Sequence, residues 1–188
     1  MTLAQAKNCE ADTARLNRAY RQLMANAESA DAQRAFFDAF PDRWQAYYNV
    51  YSLDPKLGPE ANLHNEVEQY VEALRLLMTQ IDDSTYCDKL INVATWGVYR
   101  GDKASGALKT AINEATEGER GEIMLRMIPT MITGNQVLFW QFYWSGIWPG
   151  ESGRRRCEEL KTRMTSAGFV HEAELMEQAY DNFHGVTL

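Results

Sequence analysis

The sequence predicts an all-α fold, a single domain over residues 1–188 built as an irregular antiparallel bundle of about eight to ten helices. Three observations predict it. Apolar residues recur along the chain at i, i+3, i+4 and i+7, the period of a helix with one buried face. Short stretches with capping or breaking residues separate the periodic segments, and short connections join antiparallel neighbours. At 188 residues, 45% hydrophobic and 24% charged, the chain has the composition and length to bury a substantial core.

Each element follows from local chemistry. Leu16, Tyr20, Leu23 and Met24 share one face of a first helix, which Asp12 or Thr13 is expected to open. Ser29 caps a second, whose Phe36, Phe37 and Phe40 run up to Pro41. Asp42 is expected to cap a short aromatic helix carrying Trp44, Tyr47, Tyr48 and Tyr51. "SLDPKLGPE", with two prolines and a glycine, reads as a loop. Val67, Tyr70, Val71, Leu74, Leu77, Met78 and Ile81 then form the clearest apolar stripe, with Glu66, Glu68, Glu72 and Arg75 off it. Ser84 is expected to open a helix through Leu90, Val93, Ala94 and Val98 that ends near Gly101. Asp102 caps the next, with Leu108 and Ile112 inside. Pro129 kinks or stops the helix of Ile123, Met124, Met127 and Ile128. Asn135 is expected to cap the segment that ends at Trp144, and "SGIWPGESG" is a loop. Ser152 opens a helix through Cys157, Leu160 and Met164, with Gly168 as its left-handed cap. Leu175, Met176, Ala179, Tyr180 and Phe183 mark the last helix.

"AYYNVYS", "ATWGVYR" and "FWQFYWS" recur a little over forty residues apart, a spacing that helix-pair repeats also show. They share no turn signature, so the bundle is the preferred reading over a solenoid.

A formal charge of −7 excludes a general nucleic-acid binder, which needs a basic face, and suits a basic protein partner. Cys9, Cys87 and Cys157 are odd in number and widely spaced, which argues for a reducing compartment rather than a disulfide framework. The N-terminus lacks a basic-then-apolar signal pattern, and no apolar run approaches ~18 residues. A cytoplasmic protein with no membrane association is expected.

The segment "VLFWQFYWSGIW", residues 137–148, holds three of the five tryptophans. A helix apolar nearly all round belongs at the centre of its fold. One edge, Trp144 with Trp148 in the following loop, is the candidate for exposure and partner binding, because tryptophan dominates interface hot spots. Beside it, "GESGRRR" brings Arg154, Arg155 and Arg156 to a helix start, where cations oppose the helix dipole and an external acidic group would be welcome. The simpler alternative is i,i+4 pairing of Arg154 with Glu158 and Arg155 with Glu159. "HEAE" (171–174) lacks the second histidine of a zinc helix, and His64, His171 and His184 form no ligand spacing. Cys87 and Cys157 have no histidine adjacent in sequence. The pairs Glu68/Glu72 and Glu158/Glu159 lie on polar faces. No catalytic residue, metal or cofactor is expected.

"AFFDAFPDRWQAYYNVY" (35–51) resembles a stretch of small uncharacterised helical bacterial proteins in which a Phe-Phe-Asp-x-Phe-Pro turn precedes an aromatic helix. The resemblance covers about thirty residues, touches the later "FWQFYW" run, and carries no catalytic signature. It implies an accessory or immunity-type factor. Two functional readings follow. The first is a non-catalytic acidic module that binds a protein partner, such as the immunity protein of a bacterial toxin. The second is an enzyme or small-ligand binder with a pocket inside the bundle, lined by Trp96, Trp140, Tyr143 and the histidines.

Overall fold

A computed structural model describes residues 3–53, 63–147 and 150–184, with side chains from residue 11 onward. Those residues form ten α-helices and no strand: α1 (Leu3–Ala25), α2 (Ala30–Ala39), α3 (Trp44–Tyr51), α4 (Val67–Leu77), α5 (Asp83–Ala94), α6 (Lys103–Glu117), α7 (Gly121–Met127), α8 (Thr133–Trp144), α9 (Glu151–Ser166) and α10 (Val170–His184). Two 3-10 turns, His64–Glu66 and Ile128–Thr130, precede α4 and follow α7. Pro129 lies in the second, where the α-helix has given way.

Several expected caps are in place. The Ser29 hydroxyl accepts the Ala32 N–H at 3.2 Å, and the Asp102 carboxylate accepts the Ser105 N–H at 2.8 Å. Gly168 takes a φ of +92°, which lets the Phe169 N–H turn back to the Met164 carbonyl at 3.0 Å.

Other boundaries differ from expectation. α1 starts at Leu3, so Asp12 and Thr13 lie in its interior. The stretch before them is rich in Ala, Leu, Gln and Lys, which carry a helix well. Asp42 does not cap α3: Arg43 is its extended N-cap residue, and the Asp42 carboxylate turns instead to the Arg43 guanidinium at 3.4 Å. Asp82 rather than Ser84 caps α5, accepting the Thr85 N–H at 2.9 Å. α8 begins at Thr133 with Asn135 inside its first turn, and α9 begins at Glu151 after Gly150.

The most consequential difference is the end of α5, at Ala94 rather than near Gly101. The Thr95 hydroxyl returns to the Ile91 carbonyl at 2.6 Å, and the Gly97 N–H bonds Ala94 at 2.7 Å. The chain then leaves the helix with Trp96, Val98 and Tyr99 exposed. A Cβ at Gly97 would meet Phe142 Cδ2 at 2.5 Å, so only glycine lets this turn lie against α8.

α8 is the centre of the packing. Phe139, Trp140, Phe142, Tyr143 and Trp144 are buried, and the helix lies most extensively against α10, with α5 and α6 also on it. A second aromatic cluster joins Phe36, Phe40, Tyr47, Tyr51 and Tyr70 from α2, α3 and α4. Trp44 and Phe142, with ring centroids 5.7 Å apart, link the two clusters. The α4 stripe is buried at Val67, Tyr70, Val71 and Leu74. Because the helix stops at Leu77, Met78 and Ile81 reach the core from the following turn. "ATWGVYR" lies beyond the end of its helix whereas "AYYNVYS" and "FWQFYWS" close theirs, so the three stretches are not copies of one structural unit. Among the described residues, no helix is long and apolar enough to cross a membrane.

Candidate functional site

The expected surface brings Arg155 and Arg156 to an open depression of about 270 Å³ that Ile147, Ser152 and Glu159 also line, but it does not include Trp144. Trp144 is wholly buried; its indole N–H donates to the Met176 carbonyl at 3.2 Å, and its ring meets Tyr180 edge-on at 4.9 Å. The exposed edge predicted for it is covered by α10. Trp148 lies outside the described residues. Arg154 and Arg156 are two apart on α9 and point to opposite sides. Arg154 bonds Asp181 at 2.5 Å and lies 4.7 Å from the centre of the Tyr180 ring. Arg156 pairs with the Glu117 carboxylate and donates from Nε to the Tyr143 hydroxyl at 3.0 Å, while that hydroxyl donates to Glu117 at 2.8 Å. Only Arg155 of the three points outward, with Glu159 3.9 Å away, the i,i+4 pairing anticipated for it. Two of the three charges are thus answered by carboxylates of α10 and α6.

The residues proposed to line an internal pocket do not converge either. Trp96 is 65% exposed, while Trp140 and Tyr143 are core. The His64 ring nitrogen lies 2.8 Å from the Tyr51 carbonyl, His171 is exposed on α10, and His184 stacks edge-on against Tyr180 at the helix end. Among the described residues, no group of three His, Cys, Asp or Glu side chains is placed to hold a metal ion. Burial pushes the Cys87 and Cys157 thiols up to about 11 and about 12, so both are neutral thiols at physiological pH. The largest displaced amine is Lys109, which reaches from α6 to the end of α8 and donates to the Phe142 carbonyl at 3.3 Å and to that of Tyr143. Burial, reinforced by the nearby Arg156 charge, lowers it to about 7.

Larger open depressions lie at the corner between α2 and α3. Phe40 is extended after α2 and Pro41 cannot donate a hydrogen bond, so the chain turns sharply there. The Phe40 carbonyl accepts the Lys89 ammonium at 2.8 Å, and that ammonium also sits 4.5 Å over the Phe37 ring. Two open depressions, of about 640 and 540 Å³, flank this corner and share Phe37, Asp42, Arg43 and Lys89, which makes them one groove. Asp12 and Asp38 stand along its first half; Asp88 and Trp96 stand along its second.

The chain matches no family model, no curated protein and no solved structure. Its site is therefore read from the geometry of this groove. Sequence reasoning placed Trp96 in an interior because periodicity carried α5 through Val98. The missed signal is Gly97, which follows the tryptophan directly and breaks the helix under it.

Proposed function

We propose that this protein is a binding module without chemistry of its own, and that it docks a protein partner through the groove between the α2–α3 corner and the end of α5. The reading extends to an immunity or inhibitor-type role in which a bacterial toxin is the partner neutralised, within the cytoplasm. One observation carries it: Trp96, 65% exposed, lines the open groove at this corner. Exposed tryptophan beside a concavity is the residue type that most often anchors a protein interface. Val98, two residues along the chain, is exposed as well, at 52%. The groove is also built largely from residues 37–50, within the segment whose resemblance to small helical bacterial proteins implies an accessory or immunity-type factor.

The test is capture from lysate of the native host with the tagged full-length protein, identification of the bound protein, and calorimetry on the purified pair. A stoichiometric protein partner is expected, and Trp96→Ala should weaken it tenfold or more while leaving the melting temperature in place. A partner bound equally well by Trp96→Ala would move the interface off this groove. Turnover or tight retention of a small molecule, with no protein captured, would overturn the reading.

A further inference from the structure

We infer that residues 98–100 form a proton-operated flap over Lys109: the neutral amine keeps Tyr99 seated, and a proton on that amine drives Tyr99 outward. The geometry around the amine carries this. Lys109 is 8% exposed on α6, and its Nζ donates to the Phe142 and Tyr143 carbonyls at the end of α8. Two aromatic rings lie over it, Tyr99 with its centre 5.8 Å away and Tyr143 at 5.9 Å. Tyr143 is wholly buried whereas Tyr99 is 37% exposed, so water lies on the Tyr99 side.

The charged groups nearby offer no counter-ion. Among the described residues, Lys109 makes no salt bridge. Glu117, further along α6, is taken by Arg156 and by the Tyr143 hydroxyl. Arg156, from α9, adds a like charge. Asp102 is engaged in capping α6, where it accepts from the Ser105 N–H and hydroxyl. Arg100, on the flap itself, turns to the Tyr48 ring, 4.9 Å away. A neutral amine has two N–H groups, which the two carbonyls satisfy. An ammonium has a third N–H and a charge, with only water left to answer them. Burial, reinforced by Arg156, accordingly lowers the group from 10.5 to about 7.

The chain around the flap permits the movement. Gly97 and Gly101 flank its three residues, and Gly101 takes a φ of +70° with open space where a Cβ would sit. On its inner side Tyr99 rests on Gly146, where a Cβ would meet the ring at 2.7 Å. Trp96 adjoins the first of the flanking glycines, so proton uptake at Lys109 is coupled to the tryptophan of the groove, whatever that groove docks. Opening takes up a proton, because the seated state binds one only near pH 7 and a solvated lysine binds it near its ordinary value. The ratio of open to seated flap should therefore rise about tenfold as the pH falls from about 8 to about 6, and level off below that.

The experiment follows the full chain by NMR between about pH 5.5 and 9, with fluorotyrosine and with carbon-13 at the lysine Cε. Tyr99 and Lys109 are assigned from Tyr99→Phe and Lys109→Met. Broadening of the Tyr99 signal by a soluble paramagnetic chelate reports its exposure rather than the charge beside it. Lys109 is expected to titrate near pH 7, with Tyr99 broadening more below that midpoint and the Trp96 ring signal shifting with it. Lys109→Met should leave the Tyr99 broadening independent of pH. Tyr99→Ala, a change at an exposed site that leaves the fold intact, should return the Lys109 midpoint to above about pH 9.

A wild-type Lys109 midpoint above about pH 9 would overturn the inference. So would Tyr99 broadening that does not follow the lysine, or a Lys109 midpoint that stays near 7 in Tyr99→Ala. A Trp96 signal that stays still while Tyr99 titrates would detach the flap from the groove.

Discussion

The indole N–H of Trp144 donates to the main-chain carbonyl of Met176, 3.2 Å away across the interface between α8 and α10. Both side chains are wholly buried. A large ring is thus held in one orientation by a satisfied polar atom, and the rotational setting of α10 on α8 is fixed with it.

Trp144→Ala should therefore cost about 3–5 kcal/mol of stability, as deep aromatic truncations do. Trp144→Phe keeps most of the ring contact and loses the hydrogen bond, and should cost less, about 1–2 kcal/mol. Urea unfolding measures both. A Trp144→Ala cost below about 1 kcal/mol would mean that α10 does not cover this edge.

Leu74→Ala should cost about 2–5 kcal/mol in the same assay, because Leu74 sits at the middle of the α4 stripe and is only 1% exposed. A loss under about 1 kcal/mol would place the stripe on the wrong face of the helix.

Gly97→Ala should destabilise by about 1–3 kcal/mol, the range for forced overpacking. The new methyl would meet the buried Phe142 ring at 2.5 Å and the Ala94 carbonyl at 2.8 Å. A neutral result would show that the 95–100 segment can lift away from α8 at no cost.

Lys109 ties stability to pH. Its ordinary value of 10.5 in the unfolded chain falls to about 7 in the fold, so between those values the unfolded chain holds the extra proton and stability rises with pH. The Cys87 and Cys157 thiols, raised by burial, act in the opposite sense once unfolded thiols begin to ionise near pH 9. The window from pH 7 to 8.5 isolates the lysine when wild type is compared with Lys109→Met. Wild type should gain about 1–2 kcal/mol relative to the variant across it. A constant difference would mean that the carbonyls of Phe142 and Tyr143 keep the ammonium charged throughout.

Much of this fold was legible because its signals are local. The 67–81 stripe, the caps at Ser29 and Asp102, the left-handed Gly168 and the interior position of α8 all follow from spacing or from one residue's chemistry. What escaped depends on neighbours remote in sequence. A helical wheel shows that α8 is apolar nearly all round but not that α10 covers Trp144. Three consecutive arginines read as a patch until Asp181 and Glu117 arrive from other helices. The groove was missed for a related reason. Phe37 and Trp96 each belong to a periodic apolar run, and only the turn at Gly97 leaves the tryptophan outside the core.

The burial of the aromatic residues of α8 also bears on how the chain is made. Its apolar surface is complete once Trp144 has been added, yet the helix that covers most of it, α10, ends about forty residues later. At ~5–20 residues per second, synthesis leaves that surface without its main cover for a few seconds. The segment 137–144 is thus a part of the nascent chain that stays uncovered until α10 has been made. A stall placed between α8 and α10 should yield an aggregating intermediate, whereas one placed after α10 should not.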